Sequence, residues 1–110
     1  LAKAQGCVVA ITGAVDFVTD GRRAARVAGG SAIMPKVTAM GCSLTALMGA
    51  FVAVAPPFEA TVAALAMFAE AGSRAEKVAS GPGSFQVAFL DALSQLKPAD
   101  LATEAHVQWL

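Results

Sequence analysis

The sequence predicts a mixed α/β fold, and three observations carry that expectation. "CVVAITG" is a short unbroken apolar run closed by Thr12-Gly13, which suits a strand buried on both faces of a sheet. "DFVTDGRRAARVAGG" sets Asp20-Gly21 between two extended segments, the mark of a tight hairpin that needs positive φ angles. From Ser43 onward the pattern changes to long apolar stretches punctuated by proline, which read as helices. A strand, a hairpin and then helices belong to the α/β or α+β classes.

Taken in order, the first strand is expected to be central and the hairpin to follow it antiparallel. After Gly29-Gly30, Pro35 forbids a helix interior and favours an extended or turning path. A helix should start near Gly41 or Cys42; from Ser43 to Ala55 it is apolar almost all round, which predicts burial on most sides, and Pro56-Pro57 stops it. A second helix should start at Pro57 or Phe58, with Glu59 complementing its dipole, and run to about Val78. Its many alanines and Gly72 are small enough to let another backbone come close. "SGPGSFQVAFLDALSQLK" predicts a loop, an N-cap at Ser84 and a third helix with Phe85, Phe89, Leu93 and Leu96 on its core face. Residues 1–97 thus form the body and 98–110 a tail, expected to make a short helix that packs on the body or on a neighbouring subunit. His106 and Trp109 lie in that tail; His106 has no sequence companions that would make it a ligand or catalytic partner.

With 110 residues of which 56% are apolar and 15% charged, the chain has more apolar material than one small core needs. Part of its surface is therefore expected to be covered by protein beyond it. A formal net charge of zero leaves no electrostatic footprint for nucleic acid or an anionic membrane. Arg22, Arg23 and Arg26 lack interleaved aromatics and read as a solvated hairpin face, and Lys36 as an exposed lysine. Cys7 and Cys42 form neither a metal-ligand spacing nor a disulfide framework, so reduced thiols in a cytoplasmic protein and no metal ligands are expected. The start of the chain lacks the features of a signal peptide, and the longest apolar run, Leu44 to Ala55, falls short of the ~20 residues that span a bilayer.

Within "KVTAMGCSLTA" a glycine and a cysteine stand where an extended segment becomes a helix. The first turn of a helix leaves amides unpaired and carries partial positive charge, so Met40, Gly41, Cys42 and Ser43 form a candidate anion hole. The same field favours negative charge on a thiol, which makes Cys42 a candidate base or nucleophile; the competing reading is a small buried apolar residue. Asp16, near a strand end before the hairpin, is expected to be a turn or solvent residue. "GPGS" lacks the lysine of a phosphate loop and reads as helix capping.

Three ordered blocks, "VVAITGAVDFVTDG", "IMPKVTAMGCSLTALMGAFVAVA" and "GPGSFQVAFLDAL", resemble the C-terminal half of the hydroxyethylthiazole kinase family over roughly Gly6 to Leu96. The resemblance implies a ribokinase-like three-layer α/β/α fold, a homotrimer, and transfer of the ATP γ-phosphoryl group to the hydroxyl of 4-methyl-5-(2-hydroxyethyl)thiazole in thiamine biosynthesis or salvage. It places Cys42 at the base position, Thr12 at a nucleotide contact and Ala39 at a backbone contact to the thiazole. Gly81, Gly83 and Ser84 fall near its nucleotide end. Where the family usually reads "GTGC", this chain has Ala39 and Met40 in place of glycine and threonine. Residues that hold magnesium and bind the rest of ATP are expected in an N-terminal half, supplied by the same or a second chain; without that half no independent activity is expected. The rival readings are a ribokinase-like kinase for another small alcohol, such as a hydroxymethylpyrimidine, and a non-catalytic subunit that completes a partner's fold.

Overall fold

The computed structural model describes residues 1–101 and 106–110. A short helix α1 (Ala2–Gln5) precedes three strands, β1 (Val9–Ile11), β2 (Val15–Thr19) and β3 (Ala24–Ala28). Helices α2 (Met40–Val52), α3 (Pro57–Glu76) and α4 (Pro82–Gln95) follow, and a last strand, β4 (Val107–Trp109), returns to the sheet. All pairings are antiparallel in the order β1-β2-β3-β4. Within this chain β1 has one paired side and one open side, so the strand expected to be central stands first in the order.

Helix α3 is the hub. Val62, Leu65, Ala66 and Ala69 meet Val18, Ala25 and Val27 of the sheet, and Phe68, Ala71 and Ala75 meet Phe85 and Phe89 of α4. Phe68 and Phe89 touch edge to face with centroids 4.9 Å apart, which adds directional contact to the area buried. The small residues of α3 do allow close approach. A Cβ on Gly72 would lie 2.8 Å from Met34 Sδ and 3.1 Å from Gly30 Cα. Next to it, the Ser73 hydroxyl receives the Gly30 N–H at 3.2 Å and reaches the Gly30 carbonyl at 3.3 Å. The Gly29-Gly30 bend is thereby fixed to the helix.

Several expectations need correction. Helix α2 has no buried residue: Leu44, Leu47 and Met48 are half-buried against the core clusters, while Ala46, Gly49, Ala50 and Val52 face outward. An apolar helix covered on one side only leaves the other exposed. The hairpin closes on Gly21-Arg22, one step later than Asp20-Gly21. The Asp20 N–H bonds the Arg23 carbonyl at 3.3 Å, and of the two loop residues only Gly21 has positive φ (91°), the II′ pattern. Asp20 Oδ1 instead accepts the Arg22 and Arg23 amides at 2.9 and 2.7 Å, which holds its carboxyl down at about 2. Arg23 is not simply solvated, since it pairs with Asp20 and Glu59 and covers the Phe58 ring at 4.4 Å. Helix α4 begins at Pro82, before Ser84. The Ser84 hydroxyl accepts the Ser80 and Gly81 amides at 2.9 and 3.2 Å from the third helical position, which caps the helix from inside.

The tail differs most. It makes a 3-10 turn at Pro98–Leu101 and then strand β4 on β3, with Val27 opposite Val107. His106, expected to have neither a ligand nor a catalytic role, has structural partners: its Nδ1 lies 2.9 Å from the Ala28 carbonyl and its Nε2 2.7 Å from Glu70 Oε2. Glu70 also pairs with Arg74, which reaches Asp100. Sequence could not show these partners, which lie on α3 and β3. No helix among the described residues is long and apolar enough to cross a membrane.

Candidate functional site

A cleft of about 780 Å³ opens where three backbone segments converge. Thr12, Gly13 and Ala14 come from the β1–β2 turn, Gly29, Gly30 and Ser31 from the end of β3, and Met40 and Gly41 from the start of α2; Leu65 and Phe68 of α3 lie beneath. Glycines and small residues at the rim leave backbone amides accessible, while the α3 side chains form an apolar floor.

The start of α2 has the geometry expected of an anion site, with one refinement. The N-cap is Ala39, and the amides of Met40, Gly41 and Cys42 take part in none of the backbone hydrogen bonds of the described residues. The Ser43 N–H, by contrast, donates to the Ala39 carbonyl at 2.9 Å, and the Ser43 hydroxyl to the same oxygen at 2.9 Å. Three donors therefore remain for an anion, and Ser43 is occupied by the helix itself. A Cβ added at Gly41 would meet nothing within 4 Å, so the side-chain side of this first turn is open.

Ala39 holds φ 66° and ψ 16°, the left-handed conformation, and is the only non-glycine residue with positive φ among the described residues. An L side chain there is strained and a glycine is not. This supplies a physical reason for glycine in the related pattern, and the backbone shape survives its replacement. Thr12, Met40 and Gly41 line one cleft; Ala39, Cys42 and Ser43 are exposed beside it and are not part of its lining. The Cys42 thiol is free and, within this chain, exposed rather than buried.

Asp16 serves a turn, as expected, but does so from within β2 and with its side chain in the cleft. It belongs to β2, is half-buried, lines the cleft and accepts the Gly13 N–H on Oδ1 at 2.9 Å. Burial pushes its carboxyl up, against the opposing pull of that amide. The signal in the sequence was an aspartate three residues after glycine in "TGAVD", an acceptor within reach of the turn amide. Gly29 and Gly30 were legible only as punctuation, although they form a wall of the site. Lys36 is exposed as expected, and Gly81, Gly83 and Ser84 are not among the lining residues of the cleft. Among the described residues no three His, Cys, Asp or Glu side chains gather as a metal site.

A glycine-lined cleft beside a helix start with three open amides, on an α/β frame, is an arrangement in which backbone donors can meet an anion. The chain belongs to the hydroxyethylthiazole kinase family, whose model matches residues 1–99. It is 62% identical over 108 residues to the hydroxyethylthiazole kinase of Cereibacter sphaeroides (strain ATCC 17029), covering 98% of this chain and 41% of that protein. It is also 62% identical over 109 residues to the enzyme of that name from Gemmatimonas aurantiaca, covering 99% of this chain and 39% of the relative. The solved hydroxyethylthiazole kinase structure from Pyrococcus horikoshii OT3 superposes with a TM-score of 0.93 at 42% identity, over 99% of this chain and 43% of that one. The chain spans about two fifths of the length of the curated relatives it matches, and the part matched is their C-terminal portion.

Proposed function

We propose that this segment forms the phosphoryl-accepting end of a kinase that transfers the γ-phosphoryl group of ATP to the hydroxyl of 4-methyl-5-(2-hydroxyethyl)thiazole, in thiamine biosynthesis. The observation that carries the reading is the meeting of Thr12, Met40 and Gly41 in one cleft under the open amides of α2, within a chain of this family. Thr12 contacts the nucleotide, and the Ala39 backbone lies against the thiazole. The amides of Met40, Gly41 and Cys42 hydrogen-bond the oxygens of the moving phosphoryl group, where charge develops.

Cys42 Sγ accepts or orients the proton of the substrate hydroxyl. As the alcohol oxygen bonds to the γ-phosphorus, the bond from that phosphorus to the β-bridging oxygen breaks and ADP leaves, while the hydroxyl proton passes toward the sulfur. Magnesium would ride with the ATP phosphates and supply charge neutralisation. The described residues gather no ligand set for it, so no step here is routed through it. The remainder of a full-length kinase completes the nucleotide site, and the outward apolar face of α2 and the open side of β1 are covered by that remainder and by the subunits of a cytoplasmic homotrimer.

The test is a pair of substitutions in a full-length kinase carrying this segment. Cys42→Ala should lower kcat by about 10²-fold or more, the usual worth of a positioned proton acceptor, with Cys42→Ser intermediate. Unchanged turnover in both would remove the base assignment. Faster ATP consumption with a hydroxymethylpyrimidine than with the thiazole alcohol would move the substrate to the rival kinase reading.

A further inference from the structure

We infer that Asp16 is a positioning residue for the nucleotide end of the cleft: its carboxylate holds the Thr12-Gly13 turn in the shape that presents Thr12 to ATP. The inference rests on the kinase reading. Residues 12–14 link β1 to β2 without regular structure, and the side-chain anchor of this short link is the Gly13 N–H donated to Asp16 Oδ1 at 2.9 Å. The acceptor itself does not wander. Asp16 is the second residue of β2 and pairs in register with Val27 of β3, so the sheet fixes the backbone that carries the carboxylate, and the carboxylate holds the turn. Its side chain lines the same cleft as Thr12, Met40 and Gly41.

Charge argues against a direct contact with the phosphates. A carboxylate in the wall of a polyphosphate site repels its ligand, since like charges at contact distance cost energy even when partly screened. An acceptor is needed at this position and a negative charge is not. Asp16→Asn keeps a carbonyl oxygen for the Gly13 amide and removes the charge, whereas Asp16→Ala removes both.

The experiment is steady-state kinetics of these two variants in a full-length kinase carrying this segment. Asp16→Ala should raise KM for ATP by about 3- to 10-fold, the worth of one hydrogen bond, with KM for the thiazole alcohol changed by less than about twofold. Asp16→Asn should leave KM for ATP at or below the wild-type value. Amide hydrogen exchange of the peptide spanning residues 8–14, measured without ligand, should be faster in Asp16→Ala than in Asp16→Asn or wild type. An ATP KM unmoved by Asp16→Ala, an Asp16→Asn variant as impaired as Asp16→Ala, or equal exchange in all three would each overturn the assignment. A merely structural role would lower the active fraction and leave the ATP KM alone. If wild type phosphorylates no thiazole alcohol, the kinase reading fails, while exchange and direct ATP titration still decide the role of Asp16.

Discussion

Ala39 bears a backbone cost at the residue scale. A non-glycine residue in the left-handed region loses on the order of 1 kcal/mol or more, and Ala39 sits there with φ 66° to turn the chain into α2. Ala39→Gly should therefore stabilise the fold by up to about 1 kcal/mol, after the entropy glycine adds to the unfolded chain is subtracted. Equilibrium urea unfolding reads this directly; an unchanged or lowered midpoint would mean the strain is relieved elsewhere. Thr12, Met40 and Gly41, singled out within short ordered motifs, line one cleft. For Asp16 the turn role was legible and its place in the cleft was not, because that depends on where β2 begins. A strand starting at Val15 directs it to the turn it follows, and local composition does not show that.

The element most hidden from sequence is β4. Three residues with no turn signal before them do not announce a strand, and the contacts that dock it come from distant positions. His106 faces Glu70 and Ala28 at 36 and 78 positions' separation. Among the described residues, the charged groups around this junction are Glu70 and Arg74 of α3 and Asp100 of the preceding turn. The Glu70 carboxyl is held below its usual range, first by the His106 hydrogen bond and then by Arg74. A carboxyl whose pKa falls on folding stabilises the native state above its unfolded value, and that contribution fades as pH drops through the folded one. Docking of β4 should thus weaken below about pH 4, and Glu70→Gln should flatten this acid response. Trp109, the only tryptophan, sits on β4 with its ring centroid 6.2 Å from that of Phe58 and reports the change by fluorescence. Identical acid transitions in both proteins would refute the coupling. The helices, in contrast, were mostly readable: proline opens α3 as expected, α4 starts at Pro82 ahead of the N-cap expected at Ser84, and Phe85 and Phe89 are buried where helical spacing put them.

For the whole molecule, the surplus of apolar residues counted in the sequence reappears as surface. Ile11 on β1 is 64% exposed and Val54 after α2 is 87% exposed. An open strand edge beside apolar side chains is a template for association. The 110-residue chain alone should sediment well above its 11.0 kDa, and Ile11→Lys, which places a charge on the open edge, should shift it toward monomer. A wild-type chain that sediments as a monomer would count against this reading. Sequence showed that there was too much apolar surface; it could not show which faces carried it, because the faces are set by how α2 and β1 lie in the completed fold.

The antiparallel partnership of β3 and β4 also has a kinetic side. The Ala28 amide bonds the His106 carbonyl at 2.8 Å, so finishing the sheet means closing a loop that contains all three long helices. During synthesis β3 emerges long before its mate, and the helical hairpin of α3 and α4, stitched by neighbouring turns, can assemble in the interval. The final strand then acts as a late seal whose arrival depends on the helices having already packed.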